Sequence, residues 1–498
     1  MSISESISAL VDYAVRERLI FDSDRTYAIN ALLDALGKNE YISGATHDPR
    51  DLAALLDSLC GSAAEQGIIK DTRASRDLFD ARLMGLLTPM PSEVIRRFDE
   101  AYRISPSSAT AYFYELSESS NYIRKDRIEK DIKWSVLTEF GTLEITVNLS
   151  KPEKDPRDIA AASSHTSGGY PMCLLCRENE GFAGDASRPA RQNLRMIPIT
   201  LAGERWFFQY SPYVYYNEHC IALSAAHTPM KIGRATFVRM LDFLDIFPHY
   251  FIGSNADLSI VGGSILAHEH MQGGRHSFAM DRAPIEREIS FTGYRHISAG
   301  ILKWPMSVIR LSSTDRASLV SLSEKILYAW RSYTDEAAFI YAETCGEPHN
   351  TITPIARRKN GRYEIDLVLR NNITTHEHPL GVYHPHAEHH NIKKENIGLI
   401  EVMGLAVLPS RLKAELELLK KYILSGEECS TDPRVAKHRA WLSRFADKYE
   451  FSEVNTEQIL RDEIGKTFLA VLEDAGVFKC TARGRAAFLK FIDAVNEK

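Results

Sequence analysis

In the first hundred residues apolar positions recur at helical spacing. The stretches SALVDYAVRERLI and TYAINALLDALG both fit a 3.6-residue period, and Gly37 stands where a C′ glycine would end the second. The pattern then changes. After a polar segment beginning at Ser105 and a further helical stretch, WSVLTEF and TLEITVNL read as two strands joined at Gly141, so a sheet is expected to begin over 134–149. Residues 155–171, rich in Ala, Ser, Gly and Pro, read as a long loop that delivers Cys173 and Cys176 to that sheet. LRMIPITL, RWFFQY and HCIALS, between 194 and 224, predict further strands, and 231–247 predicts an amphipathic helix ending near Pro248. A strand over 257–272 follows. From about 301 a second series begins, with a strand at ILKWPMSVIRL and a helix over 313–333. A hairpin then turns on Lys359-Asn360-Gly361-Arg362, a type I′ signal, and returns as YEIDLVLR. An apolar run at 397–408 follows a histidine-rich loop, and the remainder is mostly helical, ending in RAAFLKFIDAVNE. Strands, a long helix and a His-rich segment thus occur twice, as an old duplication would leave them.

Composition narrows the class of protein. A chain of 498 residues, 44% apolar, is long enough for a large folded core. Its 60 Lys and Arg against 66 Asp and Glu give a net charge of -6, which argues against a general nucleic-acid or anionic-membrane binder, so any anion site must be local. The cysteines are odd in number, seven, and scattered apart from one Cys-x-x-Cys, which fits a reducing compartment better than a disulfide framework. The N-terminal residues lack the basic and apolar regions of a signal peptide, and no stretch is apolar enough to span a bilayer; the cytoplasm is the expected location.

The most informative chemistry is in DLSIVGGSILAHEHMQGG, residues 257–274. On a strand, His268, His270 and Gln272 project from one face. A neutral imidazole is a competent nucleophile toward phosphorus when its other nitrogen is held by a hydrogen bond. Gln272 can donate to a non-bridging phosphate oxygen, assisted by backbone N–H groups around Gly262, Gly263 and Ser264. The bland alternative is an HxH pair that binds a metal or packs in a core. Cys173-Leu-Leu-Cys176 suits half of a zinc site, with His227 and His268 as candidates for the other half, but redox motif and accident remain open on spacing alone. Six histidines between 376 and 390, namely His376, His378, His384, His386, His389 and His390, suggest either a metal site or a solvated loop. Beyond them, Lys393 and Lys394 are candidates to hold a phosphate and Glu401 a sugar hydroxyl, or all three are a charged strand entry. Lys151 and Lys154, in NLSKPEKDP, are candidate phosphate contacts or ordinary surface lysines.

DLSIVGGSILAHEHMQGG, YFYELSESSNYIRKDRIEKDIKW, NLSKPEKDPR, CLLCRENEGF, QYSPYVYYNEHC and NIKKENIGLIEVMGLAVLP together resemble the family 2 galactose-1-phosphate (hexose-1-phosphate) uridylyltransferases over nearly the whole chain. Ser259 replaces a usual proline and Met271 a usual aromatic, both at positions that do no chemistry. The resemblance implies an α+β fold of two histidine-triad-like halves, a duplicated antiparallel-sheet core with helical additions at both ends. It divides the chain into a helical region (1–110), an N-terminal half bearing the HxHxQ strand (111–285), a C-terminal half (286–410) and a C-terminal helical region (411–498). It implies UDP-glucose and a hexose 1-phosphate as partners in the cytoplasm, with no nucleic acid or membrane and a possible homodimer. His270 would be the uridylylated nucleophile and Gln272 its phosphate-oxygen partner. A more distant similarity, to the family 1 enzymes with their His-Pro-His-Gly-Gln signature, implies zinc on Cys173, Cys176, His227 and His268 and a second metal on Glu286 with the 376–390 histidines. A histidine-triad hydrolase or phosphorylase is the nearest rival, against which Gln272 argues because an amide cannot exchange protons. A zinc-stabilised nucleotide-sugar binding protein without turnover is the rival from another class.

Overall fold

The fold, taken from a computed structural model, is described for residues 2–42, 51–149, 169–185, 187–263 and 265–497. Helical periodicity in the first part of the chain yields α1 (Ile3–Arg16), α2 (Arg25–Ala35), α3 (Leu52–Glu65), α4 (Arg73–Leu87), α5 (Pro91–Ile104) and α6 (Pro106–Ser119). Their starts are written locally. Ser2 and Glu5 form a reciprocal capping box on α1, and Pro91 and Pro106 occupy first-turn positions where no N–H is needed. Gly37 adopts a positive φ of 59° just past α2, as its position in the pattern anticipates.

The strands of the described residues are β1 (Ile132–Thr138), β2 (Gly141–Val147), β3 (Ile197–Leu201), β4 (Glu204–Tyr210), β5 (Cys220–Ser224), β6 (Phe251–Gly253), β7 (His270–Gly274), β8 (Ile285–Ile289), β9 (Ser298–Leu302), β10 (Val308–Ser313), the two-residue β11 (Glu343–Thr344) and β12 (Glu347–Pro348), β13 (Asn350–Lys359), β14 (Arg362–Asn371) and β15 (Leu405–Leu408). Ten of them form one antiparallel sheet in the order β3-β4-β5-β7-β6-β13-β14-β10-β9-β8. This order is a duplication seen in space. Read from each edge inward, β3-β4-β5-β7-β6 and β8-β9-β10-β14-β13 are the same arrangement, and each set places its long helix after its third strand. Those helices are α7 (Arg234–Ile246) and α8 (Arg316–Arg331). The two sets meet where β6 pairs with β13, Gly253 opposite Ile355.

Strand alternation separates the two faces. Ala222, Ile252, Met271, Ala356 and Leu367 lie in one buried cluster with Phe237, Met240 and Leu244 of α7 and Leu319, Ile326 and Trp330 of α8. Phe251, Ile355, Val308 and Val368 lie in a second cluster with Leu399, Val402 and the C-terminal helix α10 (Thr456–Ala475). The second face carries the candidate site. Helices α9 (Arg411–Ser425) and α11 (Ala482–Glu497) complete the C-terminal helical addition.

Three readings of the pattern are corrected. The 134–149 hairpin does begin a sheet, β1-β2 with β15 parallel to β2, but Cys173 and Cys176 meet His227 and His268, which flank β5 and β7 of the ten-stranded sheet, and not that smaller sheet. The run ILKWPMSVIRL is not one strand but β9, a hairpin turn at 303–307, and β10, because Pro305 has no N–H for a ladder and Trp304 turns inward, 2% exposed. The expected strand at 257–272 begins only at His270. The type I′ hairpin stands, with Asn360 and Gly361 at φ of 51° and 74°. Residues 155–168 of the expected loop fall outside the described residues. No helix among the described residues is long and apolar enough to cross a membrane.

Candidate active site and metal centre

The Cys-x-x-Cys turn is held by its own backbone and by Asn179. The Asn179 side-chain amide donates to the carbonyls of Cys173 and Cys176 at 2.8 and 2.7 Å, and the Leu175 N–H points to the Cys173 sulfur at 3.4 Å. Four potential ligand atoms then converge. Cys173 Sγ lies 3.5 Å from Cys176 Sγ and 3.3 Å from His268 Nδ1, and Cys176 Sγ lies 3.1 Å from His227 Nδ1 and 3.7 Å from His268 Nδ1. All four atoms fall within 4.8 Å of one another. A tetrahedral zinc with bonds of about 2.0–2.3 Å places its ligand atoms roughly 3.3–3.8 Å apart, so the donor set fits such an ion in chemistry, and the four close separations of 3.5, 3.3, 3.1 and 3.7 Å lie near its spacing. His268 also carries the outer hydrogen bond typical of a metal-bound imidazole, donating from Nε2 to the Ser224 carbonyl at 2.9 Å. Among the described residues this is the only group of three or more such side chains that close. Burial works against ionising Cys173, but hydrogen bonds from His268, Leu175 and Cys176 hold its thiol below the usual value, while burial and the Cys173 charge push Cys176 up to about 11.

His268 does not share a strand with His270, yet the two are coupled through the backbone. His270 Nδ1 donates to the His268 carbonyl at 2.8 Å, which leaves Nε2 with its lone pair. His270 is 6% exposed, and burial lowers its basicity, so the ring is neutral. Two positions on, Gln272 stands on the same face; its Oε1 lies 3.1 Å from Nε2 of His219. The two glycines after Gln272 are dictated by space: a Cβ at Gly273 would come within 2.4 Å of the Phe251 carbonyl, and one at Gly274 within 2.6 Å of that of Glu218.

Gly262 and Gly263 lie in the turn beside this strand. A Cβ at either would collide, at Gly262 with the Ala256 carbonyl at 2.5 Å and at Gly263 with the Asn255 side chain at 2.6 Å. Asn255 in turn accepts from the Leu399 N–H at 2.9 Å, which ties this turn to the 393–401 segment. In that segment the buried lysine is Lys393, 3% exposed and 3.0 Å from Glu401, whereas Lys394 is exposed. Glu401 also accepts from the Gly398 N–H at 3.1 Å, so both of its oxygens are engaged internally. Arg370 reaches the same segment from below, donating to the Ile397 carbonyl at 2.9 Å. Ser264, Lys151 and Lys154 lie outside the described residues.

The expected second metal cluster is not assembled. Glu286, on the edge strand β8, is paired with Arg485 of α11. His386 and His389 lie against Asp474, His384 against Asn396, and His390 against the Pro385 carbonyl. The sequence alone does not single out His219, Asn255, Asn179 or Arg370. Only His219 had an available signal, its place two residues before Ile221 in the HCIALS strand.

Two family descriptions match the chain in succession: "Galactose-1-phosphate uridyl transferase, N-terminal domain" over residues 20–229 and "Galactose-1-phosphate uridyl transferase, C-terminal domain" over 243–441. A galactose-1-phosphate uridylyltransferase of Clostridium acetobutylicum is 53% identical over 494 residues, covering 99% of each chain. One of Bacillus subtilis is 49% identical over 506 residues, covering 100% of this chain and 99% of that one. Among solved structures, yeast Ap4A phosphorylase aligns with 66% of this chain and 94% of its own at 10% identity and a TM-score of 0.35.

Proposed function

Since the chain belongs to the galactose-1-phosphate uridylyltransferase family, an enzyme family that exchanges UMP between UDP-glucose and galactose 1-phosphate in galactose metabolism, we propose that it does so through a covalent uridylyl group on His270. The observation that carries this is the hydrogen bond from His270 Nδ1 to the His268 carbonyl, which fixes the tautomer and frees Nε2 in a buried, neutral ring. Nε2 attacks the α-phosphorus of UDP-glucose; the bond from that phosphorus to the bridging oxygen breaks, and glucose 1-phosphate leaves with the electron pair. A phosphate oxygen of galactose 1-phosphate then attacks the same phosphorus and displaces the imidazole. Two in-line displacements return the original configuration, and because each leaving group is already stable as an anion or a neutral ring, no general acid is required. Gln272 donates an N–H to a non-bridging oxygen, where negative charge accumulates during each displacement.

The metal in this reading is zinc, held by Cys173, Cys176, His227 and His268. It supplies rigidity, since His268 is at once a ligand and the residue whose carbonyl orients the nucleophile. Gly262, Gly263, Ser264, Lys151 and the 393–401 segment around Lys394 and Glu401 are assigned to substrate contacts.

Incubation with UDP-glucose alone should add one acid-labile uridylyl group to the intact mass, absent in His270→Ala and discharged by galactose 1-phosphate. Binding of UDP-glucose without any adduct would overturn the covalent route. Rapid discharge by water or orthophosphate alone would mark a hydrolase or a phosphorylase instead.

A further inference from the structure

Gln272 can serve the reaction only if its amide is turned one way. With the NH2 end toward the phosphate it stabilises the developing charge, and with the oxygen end it repels that charge. The two ends have nearly the same shape, so packing alone does not choose between them. We infer that His219 makes the choice: it is a positioning residue whose Nε2–H holds the Gln272 oxygen and so aims the amide N–H groups at the phosphate. The inference rests on the reading of Gln272 given above.

The placement follows from the sheet. β5 and β7 pair with Cys220 opposite Gly273 and Ile221 opposite Gln272, so His219, one residue outside β5, shares the face of Gln272 and is its diagonal neighbour. The two side chains meet at 3.1 Å between Nε2 and Oε1. On its other flank Gln272 is opposite Gly253, which has no side chain to compete for the amide. The imidazole is 2% exposed and enclosed by Tyr215 and Tyr216, with ring centroids 5.5 and 4.5 Å away. Tyr216 is itself tied to β7, donating to the Gly273 carbonyl at 3.1 Å.

Burial depresses the basicity of His219 to about 4, so the ring carries a single proton under ordinary conditions. Its Nδ1 is buried without a hydrogen-bond partner. A proton on Nδ1 would therefore orphan a buried N–H and set the Nε2 lone pair against the amide oxygen. A proton on Nε2 orphans only a lone pair, the milder of the two defects, and makes the observed contact a hydrogen bond. The tautomer assigned from these partners accordingly commits Gln272 Oε1 to His219. Turning the amide over would break that bond, which disfavours the wrong orientation by roughly tenfold.

The test uses the full-length protein and single-turnover uridylylation from UDP-glucose, read by intact mass, in a double-mutant cycle between His219→Leu and Gln272→Ala. His219→Leu is expected to slow adduct formation about tenfold at saturating UDP-glucose with little change in the half-saturating concentration, and to add nothing in the Gln272→Ala background. His219→Gln, whose amide nitrogen reaches the place of Nε2, should restore most of the rate. His219→Asn, whose nitrogen reaches only the place of Nδ1, should not. If His219→Leu does not fold, the Gln and Asn variants carry the same comparison. Equal rates for those two, or equal slowing by His219→Leu with and without Gln272, would reduce His219 to a packing residue and overturn the inference. A wild-type rate in Gln272→Ala would instead bring down the assignment of Gln272, and this inference with it. A slow Gln272→Ala beside an unimpaired His219→Leu would remove the inference alone.

Discussion

Cys176 is 3% exposed, and its sulfur faces another thiol as well as two imidazoles. Such a pair does not ionise fully by itself: with Cys173 held low, the second thiol is pushed up to about 11 by burial and by its neighbour's charge. A divalent cation reverses that balance, because it stabilises both thiolates in the same small volume. Zinc is therefore expected at about one equivalent per chain, with chelation or Cys176→Ser removing it and lowering the thermal midpoint. The proposed nucleophile should suffer too, since the His268 ring and the carbonyl that holds His270 belong to one residue; adduct formation in Cys176→Ser should fall at least tenfold. Elemental analysis and thermal melting of the two proteins check this. Full zinc content in the variant, or none in the wild type, would sink it.

At the scale of elements, one carboxylate gathers several of the polar contacts between helix α9 and the rest of the C-terminal region, beside the burial of Leu412 and Leu419. Glu415 is contacted by Arg411 at 2.6 Å, Lys437 at 2.6 Å and His438 at 2.9 Å. Burial opposes its charge, but the hydrogen bonds from His438 and Lys437 and the nearby cations prevail and hold the carboxyl down to about 2 from an ordinary 4.5. A folded-state value below the unfolded one means that ionised Glu415 adds stability above about pH 4.5, and that this contribution fades as pH falls toward about 2. Glu415→Gln should therefore lower the urea midpoint at neutral pH and lose that deficit as the solution is acidified; a deficit independent of pH would show that the pairing adds nothing. The same contrast between local and distant partners explains what the sequence disclosed. The helices, the Asn360-Gly361 hairpin and the His268-x-His270-x-Gln272 series were legible because their signals lie within a few adjacent residues. The start of β7 was not, because the expected strand at 257–272 enters the ladder only at His270, where β5 and β6 supply partners. Nor was the role of Glu401 in receiving Lys393, or the approach of Asn255 to Leu399, which joins residues 144 positions apart.

Across the whole molecule, one row of the sheet shows how the two related halves have diverged. Gln272 stands opposite Gly253, Gly253 opposite Ile355, Ile355 opposite Asp366, and Asp366 opposite Arg310. Gln272 and Asp366 are thus each one strand out from the central pair, on the same face and roughly 14 Å apart at ordinary strand spacing. In the first half that position carries the proposed phosphate contact. In the second half it is filled by a closed ionic group: Asp366, fully buried, accepts from Arg310 at 2.7 and 2.8 Å and from Arg357 at 2.8 Å, and Arg357 reaches Glu364 at 2.6 Å and Asp281 at 3.2 Å. Arg310 also donates to the carbonyls of Met280 and Asp281 at 3.0 and 3.1 Å, pinning the turn that follows β7 to the second half. The network saturates its central carboxylate with two guanidinium groups, and through Met280 and Asp281 it ties the segment after β7 to the second set of strands. Replacing Asp366 with asparagine would take the shared carboxylate from two buried guanidinium groups, leaving Arg357 to Glu364 and Asp281 and Arg310 to Glu364 at 3.4 Å and its carbonyl partners, so the loss should approach the lower end of the roughly 3–5 kcal/mol seen for broken buried pairs. The expected variant is markedly less stable to urea, yet in its folded fraction takes up the same one uridylyl group at a near wild-type rate, because no member of the network touches His270 or Gln272. If stability were unchanged, the network would not be what secures the second half. If stability held and uridylylation failed, the second half would take part in the chemistry through this row.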